Sequence, residues 1–277
     1  RWGMNVWHKL AAIPYVSPAS DRLLATTFLL FAGILLAGLF FHIRDEHQSV
    51  VYVGKYTVLT CCLITYPIIG EIWEYTGANY ISTGGMLLSI LSCYYLMTRQ
   101  KIRITDLFLV GIGMTLPMSS YEAGVAFYIT LVCAILFYQY CAWGDKQHSN
   151  QYWRGAVVYA IPLIIALCFR IGIGSLLRKI LHLEKIQVGG AAVYWGKYPF
   201  SDLIRKTIID TFLNYFINGI VYLPITIFLV AIICLICYIV YKIVSEKRMI
   251  VCVGGILLIL SAFILSAVQG SFMAYRT

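Results

Sequence analysis

The chain has 277 residues, 61% of them apolar and 12% charged. A soluble domain is about half apolar and about a quarter charged, so a water-soluble globular fold is excluded. The net charge of +9 does not point to nucleic acid, because Lys and Arg are spread over short loops between apolar runs, where they set topology and meet anionic lipid.

Apolar runs close to the roughly 20 residues needed to cross a bilayer recur along the chain. The expected fold class is all-α: a polytopic α-helical membrane protein, since a β-barrel would show short alternating segments instead. Eight hydrophobic segments follow in order, at about 23–43, 50–70, 79–97, 104–117, 121–142, 155–175, 220–243 and 249–268, the fourth being the shortest. They are read as one transmembrane domain over 1–277. The chain opens on Arg1 and stops just behind a hydrophobic run, so a piece of a longer protein is expected.

A connection of about 45 residues separates the sixth and seventh segments. It opens with GSLLRKILHLEKIQ, where Leu176, Leu177, Ile180, Leu181 and Leu183 share a face and Arg178, Lys179, His182, Glu184 and Lys185 stay wet. That pattern predicts a helix lying in the membrane surface over 176–186. The aromatic cluster from Tyr194 to Phe200 suits the headgroup level. A second amphipathic stretch, 203–218, leads back to the bilayer.

The loop at 98–105 carries Arg99, Lys101 and Arg103, and that near 245–249 carries Lys247 and Arg248. Both are expected to be cytoplasmic. Strict alternation of the spans then puts the N-terminal segment, 71–79, 117–121 and 175–219 outside. Glu71, Glu74 and Glu122 thereby share the outer face, with Arg170 toward the outer end of its span.

Each of these residues has two readings. Glu122, in MTLPMSSYEAG, either caps the next helix with help from Ser119 and Ser120, after a break at Pro117, or faces a polar cavity. Arg170 either snorkels to the interface or fixes a lipid-linked phosphate. Glu71 and Glu74 lie in EIWEYTGAN, either as a solvated loop or beside Trp73, Tyr75 and Tyr80 as sugar-stacking partners. The cysteines fall mostly in apolar runs and read as small hydrophobes. Cys234 and Cys237 have CxxC spacing, but with no second pair or polar context. No metal-ligand spacing is present among the five histidines, so no cofactor is legible. Gly84–Gly85 and Gly254–Gly255 read as close-packing points between helices.

RWGMNVWHKL at the start, YPIIGEIWEYTGANYIST and the turn SSYEAGVAFYI resemble the GtrII-type glucosyltransferases, bacterial membrane enzymes that decorate lipopolysaccharide O-antigen or related polymers. The resemblance covers most of the chain as scattered short elements. Glu122 stands where the family commonly has Gln. What the resemblance implies is a GT-C-like enzyme of the bacterial inner (plasma) membrane. Such an enzyme passes a sugar, glucose above all, from a polyprenyl-phosphate carrier to a glycan acceptor. The implied site has Glu71, Glu74 and Glu122 as supporting acids and Arg170, Arg178 and Lys179 near the donor phosphate. Trp73, Tyr75 and Tyr121 would stack on sugar. The family's principal acidic pair would fall ahead of Arg1. A polysaccharide polymerase and a transporter or flippase of lipid-linked glycans remain the alternatives.

Overall fold

The computed structural model describes residues 6, 9, 17–44, 79–99, 101–120, 123–143, 149–180, 199–205, 209, 225–246 and 249–261. Among them every regular element is a helix: α1 Pro18–Arg44, α2 Asn79–Thr98, α3 Ile104–Ser120, α4 Ala123–Trp143, α5 Ser149–Ile180, α6 Phe200–Ile204, α7 Ile225–Glu246 and α8 Met249–Ser261. The chain divides into two compact units, 1–180 and 181–277. The segment 50–70 lies outside the described residues.

Among the described residues three helices are long and apolar enough to cross a bilayer: Pro18–His42, Asn79–Thr98 and Gly155–Leu177. The 17 residues of α3 rise about 26 Å, at the short end of a span. Large apolar side chains face outward along these helices, among them Leu23, Phe31, Ile104 and Ile164. Their hydroxyls are satisfied internally. Thr26 and Thr27 donate to the carbonyls of Arg22 and Leu23 at 2.8 Å, and Thr115 to that of Gly111 at 3.0 Å. Lipid requires this, because it offers such groups no partner. The fold is that of an all-α membrane protein.

The start of α1 follows from Ser-Pro-Ala-Ser-Asp. Ser17 Oγ accepts the backbone N–H of Ser20 at 3.2 Å, and Pro18 takes the first helical position, where its missing N–H costs nothing. In the first unit α2 packs on α1, α3 and α4. The core draws Leu39 from α1, Ile90 and Cys93 from α2, Met114 and Met118 from α3, Tyr128 and Ile135 from α4 and Ala166 from α5. Tyr128 Oη donates to the Tyr159 carbonyl at 3.0 Å, tying α4 to α5.

Glycines set the closest approaches. Gly84 and Gly85 are buried, and a Cβ at Gly85 would stand 3.2 Å from Pro117 Cβ, in accord with the close-packing reading. Gly111 lies against Ile165 and the Pro162 carbonyl of α5.

The structure departs from the sequence expectations at three places. Pro117 lies inside α3, which continues to Ser120. Ser119 and Ser120 donate to the Leu116 carbonyl at 2.9 and 2.7 Å, so their hydroxyls bond back into the last turn of α3. The third is α5, one helix through Ile180 with Pro162 inside it. Residues 176–180 therefore continue the span's helix. Each glycine in Gly172–Gly174 costs about 1 kcal/mol of helix stability, too little to end a run flanked by Ile173, Leu176 and Leu177. The rest of the expected surface helix, and of 203–218 beyond Arg205 and residue 209, lies outside the described residues.

The second unit holds the short α6 and the paired helices α7 and α8. Cys234 and Cys237 are free and exposed on α7, while Gly254 and Gly255 are buried on α8.

Candidate functional site

Acids at membrane depth are costly and need partners. The structure holds one that the sequence reading passed over. Asp21, in the first turn of α1, is fully buried. Its Oδ2 accepts Asn79 Nδ2–H at 2.8 Å and its Oδ1 accepts the Tyr80 backbone N–H at 3.1 Å. The carboxylate thus meets the N-terminal ends of two helices, where both dipoles favour negative charge. Its signal in the sequence was an acid directly after a Ser-Pro helix start, at the mouth of a hydrophobic run.

Around this pair the helix ends are polar yet buried. Thr83 Oγ1 donates to the Asn79 carbonyl at 2.9 Å. Leu116 packs on Tyr80, Ile81 and Ala25, which brings the end of α3, with buried Ser119 and Ser120, to the same end of the bundle. The start of α4 joins them, since a Cβ at Gly124 would lie 3.1 Å from the Pro117 carbonyl oxygen. One acceptor in this cluster, Asn79 Oδ1, is buried with no hydrogen-bond partner.

Chemically, Asp21 has both oxygens engaged and no face open to solvent. It is a positioning group, not a proton acceptor for a substrate hydroxyl. What it positions is Asn79, the residue that ends the sequence Glu71-Ile-Trp73-Glu74-Tyr75-Thr-Gly-Ala. On the other side Ser120 immediately precedes Tyr121 and Glu122. The candidate residues Glu71, Trp73, Glu74, Tyr75, Tyr121 and Glu122 themselves lie outside the described residues. The helix ends on which their segments begin or finish are described, and they converge.

Two of the candidate cations, Arg170 and Lys179, are described on α5. Arg170 is half-buried on α5, next to Phe169, whose ring meets Phe108 of α3 edge-on at 6.0 Å between centroids. Phe108 is twelve residues before Ser120, about 18 Å along α3. From Phe108 to Gly111 along α3, the facing residues on α5 go back from Phe169 to Ile165 and Pro162. Tyr159 and Gly155 of α5 in turn face Tyr128 and Leu136 of α4, the order that alternating spans would give, so α5 crosses α3 obliquely. Phe169, next to Arg170, thus lies beside the early part of α3. Lys179 is exposed nine residues further on, about half a turn around α5 from Arg170 by helical periodicity. The Arg178 side chain lies outside the described set. At the polar end itself the described cation is Arg22, exposed beside Asp21.

Among the described residues no group of three or more His, Cys, Asp or Glu side chains is placed to hold a metal ion. No curated protein and no solved structure matches the chain. A family model does, under the description "Glucosyl transferase GtrII", and it matches residues 1–277. The polar helix ends, the apolar outer surface and a family match over the whole sequence lead to one statement: the chain belongs to the GtrII glucosyltransferase family.

Proposed function

We propose that this glycosyltransferase moves glucose from a polyprenyl-phosphate carrier to a hydroxyl of a surface glycan, such as O-antigen, at the non-cytoplasmic face of the bacterial inner membrane. One observation carries the reading beyond the family: the buried polar cluster of Asp21, Asn79, Thr83, Ser119 and Ser120, at the end of the bundle away from Arg99, Lys101 and Arg103. The positive-inside rule makes the basic end cytoplasmic and the polar end outer.

In the proposed reaction the acceptor oxygen attacks the anomeric carbon. The bond from that carbon to the phosphate oxygen breaks, and polyprenyl phosphate leaves with the electron pair. A carboxylate takes the acceptor's proton. Glu71, Glu74 and Glu122, on the segments that lead into α2 and α4 in sequence, are the acids proposed for this role. Trp73, Tyr75 and Tyr121 offer stacking faces for sugar. A cation near the leaving phosphate stabilises the charge that develops there. Arg22 is better sited for this than Arg170. Asp21 contributes by fixing Asn79, and with it the end of the Glu71–Tyr75 segment.

Membranes containing the complete gene product test the donor. Supplied with radiolabelled glucose on polyprenyl phosphate, they are expected to label the glycan without any nucleotide sugar. Labelling that requires a nucleotide sugar, with the lipid-linked donor inert, would refute the reading.

A further inference from the structure

The end of the bundle opposite the polar cluster carries a site of its own. Thr98, Arg99, Lys101, Arg103, Thr105 and Asp106 line an open hollow of about 620 Å³ between α2 and α3. Three cations surround one carboxylate there, Asp106, whose charge acts on Arg99 and Arg103 but leaves the group with a surplus of two positive charges. Asp106 Oδ1 accepts the Tyr95 hydroxyl at 2.9 Å, and Oδ2 accepts the Arg103 backbone N–H at 2.9 Å. The second bond is the acid half of a capping box, closing the start of α3. Arg99 is held in place as well. Its guanidinium lies 4.5 Å from the Tyr95 ring centroid and donates to the Tyr95 hydroxyl at 2.7 Å. Among the described residues Lys101 makes no hydrogen bond or ion pair, and the Arg103 side chain meets only the charge of Asp106.

Below the hollow an apolar stripe runs down α3. Ile104, Phe108 and Ile112 fall four residues apart, hence on one face, and are 82%, 47% and 49% exposed. A free phosphate uses only the hollow. A phospholipid uses both parts.

We propose that this surface binds an anionic phospholipid, its phosphate held by Arg99, Lys101 and Arg103 and one acyl chain lying along Ile104, Phe108 and Ile112. The inference is independent of the sugar-transfer reading, because it concerns the other end of the helices and needs no donor or acceptor.

Native mass spectrometry of the purified protein tests it, with dioleoyl phosphatidylglycerol and dioleoyl phosphatidylcholine in equal amounts. Phosphatidylglycerol is expected to be retained over phosphatidylcholine by about fivefold or more, the scale of one cation at an anionic surface. The pair Lys101→Gln/Arg103→Gln should lower phosphatidylglycerol retention by roughly tenfold or more. Lys247→Gln/Arg248→Gln removes the same charge from the other basic loop and should leave retention unchanged. Both altered side chains in the first pair are exposed, and its melting curve should match wild type. If it melts early, Lys101→Gln alone, with about a fivefold loss, carries the test. Millimolar inorganic phosphate should not displace the lipid. Equal retention of the two lipids, equal losses in the two double variants, or displacement by phosphate alone would each overturn the proposal.

Discussion

Asp21→Ala should lower the stability of the purified protein by about 2–3 kcal/mol, because two buried donors lose a charged acceptor. The donors are Asn79 Nδ2 and the Tyr80 backbone N–H. Both residues are buried, so each donor keeps its desolvation penalty when the carboxylate is removed. In a thermal melt in detergent this is a fall of about 5 °C or more for a chain of this length. Asp21→Asn should cost much less. The Asn79 amide can rotate by half a turn and present Oδ1, now buried without a partner, to the new amide. Arg22→Ala, at the exposed next residue, should change little, within about 0.5 kcal/mol. If Asp21→Ala melts with wild type, the junction of α1 and α2 is not held by this carboxylate. The account of how the Glu71–Tyr75 segment is anchored then fails with it.

Gly111→Ala should cost about 1–3 kcal/mol through overpacking. Its Cβ would come 2.5 Å from Ile165 Cγ2, 2.7 Å from Ile165 Cβ and 3.3 Å from the Pro162 carbonyl oxygen. Ile165 is β-branched and holds one χ1 rotamer in a helix, so it cannot swing aside. The helices α3 and α5 must separate instead. Gly113→Ala is the internal control. Nothing lies within 4 Å of its added Cβ, and the gain in helix propensity is about 1 kcal/mol. Adding Ile165→Ala to Gly111→Ala should recover part of the loss, giving a favourable coupling of about 0.5 kcal/mol or more in a double-mutant cycle. Additive losses would mean that the two helices do not meet at these residues.

Much of this fold was legible in the sequence because hydrophobic length and charge asymmetry are local properties. The starts of α2 at Asn79 and α8 at Met249 coincide with the expected segments, and α3 begins at Ile104 as expected. Misreadings came from treating punctuation as decisive. Pro117 was expected to break a helix, yet it sits near the end of α3, where Gly85 makes room for it. A separate surface helix was expected over 176–186, yet α5 runs on through Ile180. The placement of Arg170 depends on how α5 packs against α3, a contact between residues more than fifty positions apart that no local pattern encodes. Asp21 was missed for a similar reason. Its partner Asn79 is 58 residues away, and in sequence an acid at a helix start already has the dipole as sufficient explanation. The serines at 119 and 120 were rightly tied to a helix end but to the wrong one, since a hydroxyl serves equally to cap forward or to bond back to the preceding turn.

The central claim is that the polar end of the bundle, where Ser120 leads into Tyr121 and Glu122, is where glucose is transferred. The most direct measurement is glycan modification by the complete gene product carrying Glu122→Ala, with membrane expression matched to wild type. A carboxylate that orients sugar or acceptor predicts a loss of about tenfold or more. Glu122→Gln should keep most of the activity if the group's role is hydrogen bonding. Near-normal modification by Glu122→Ala would contradict the account and leave Glu122 as a helix cap worth about 0.3–1 kcal/mol.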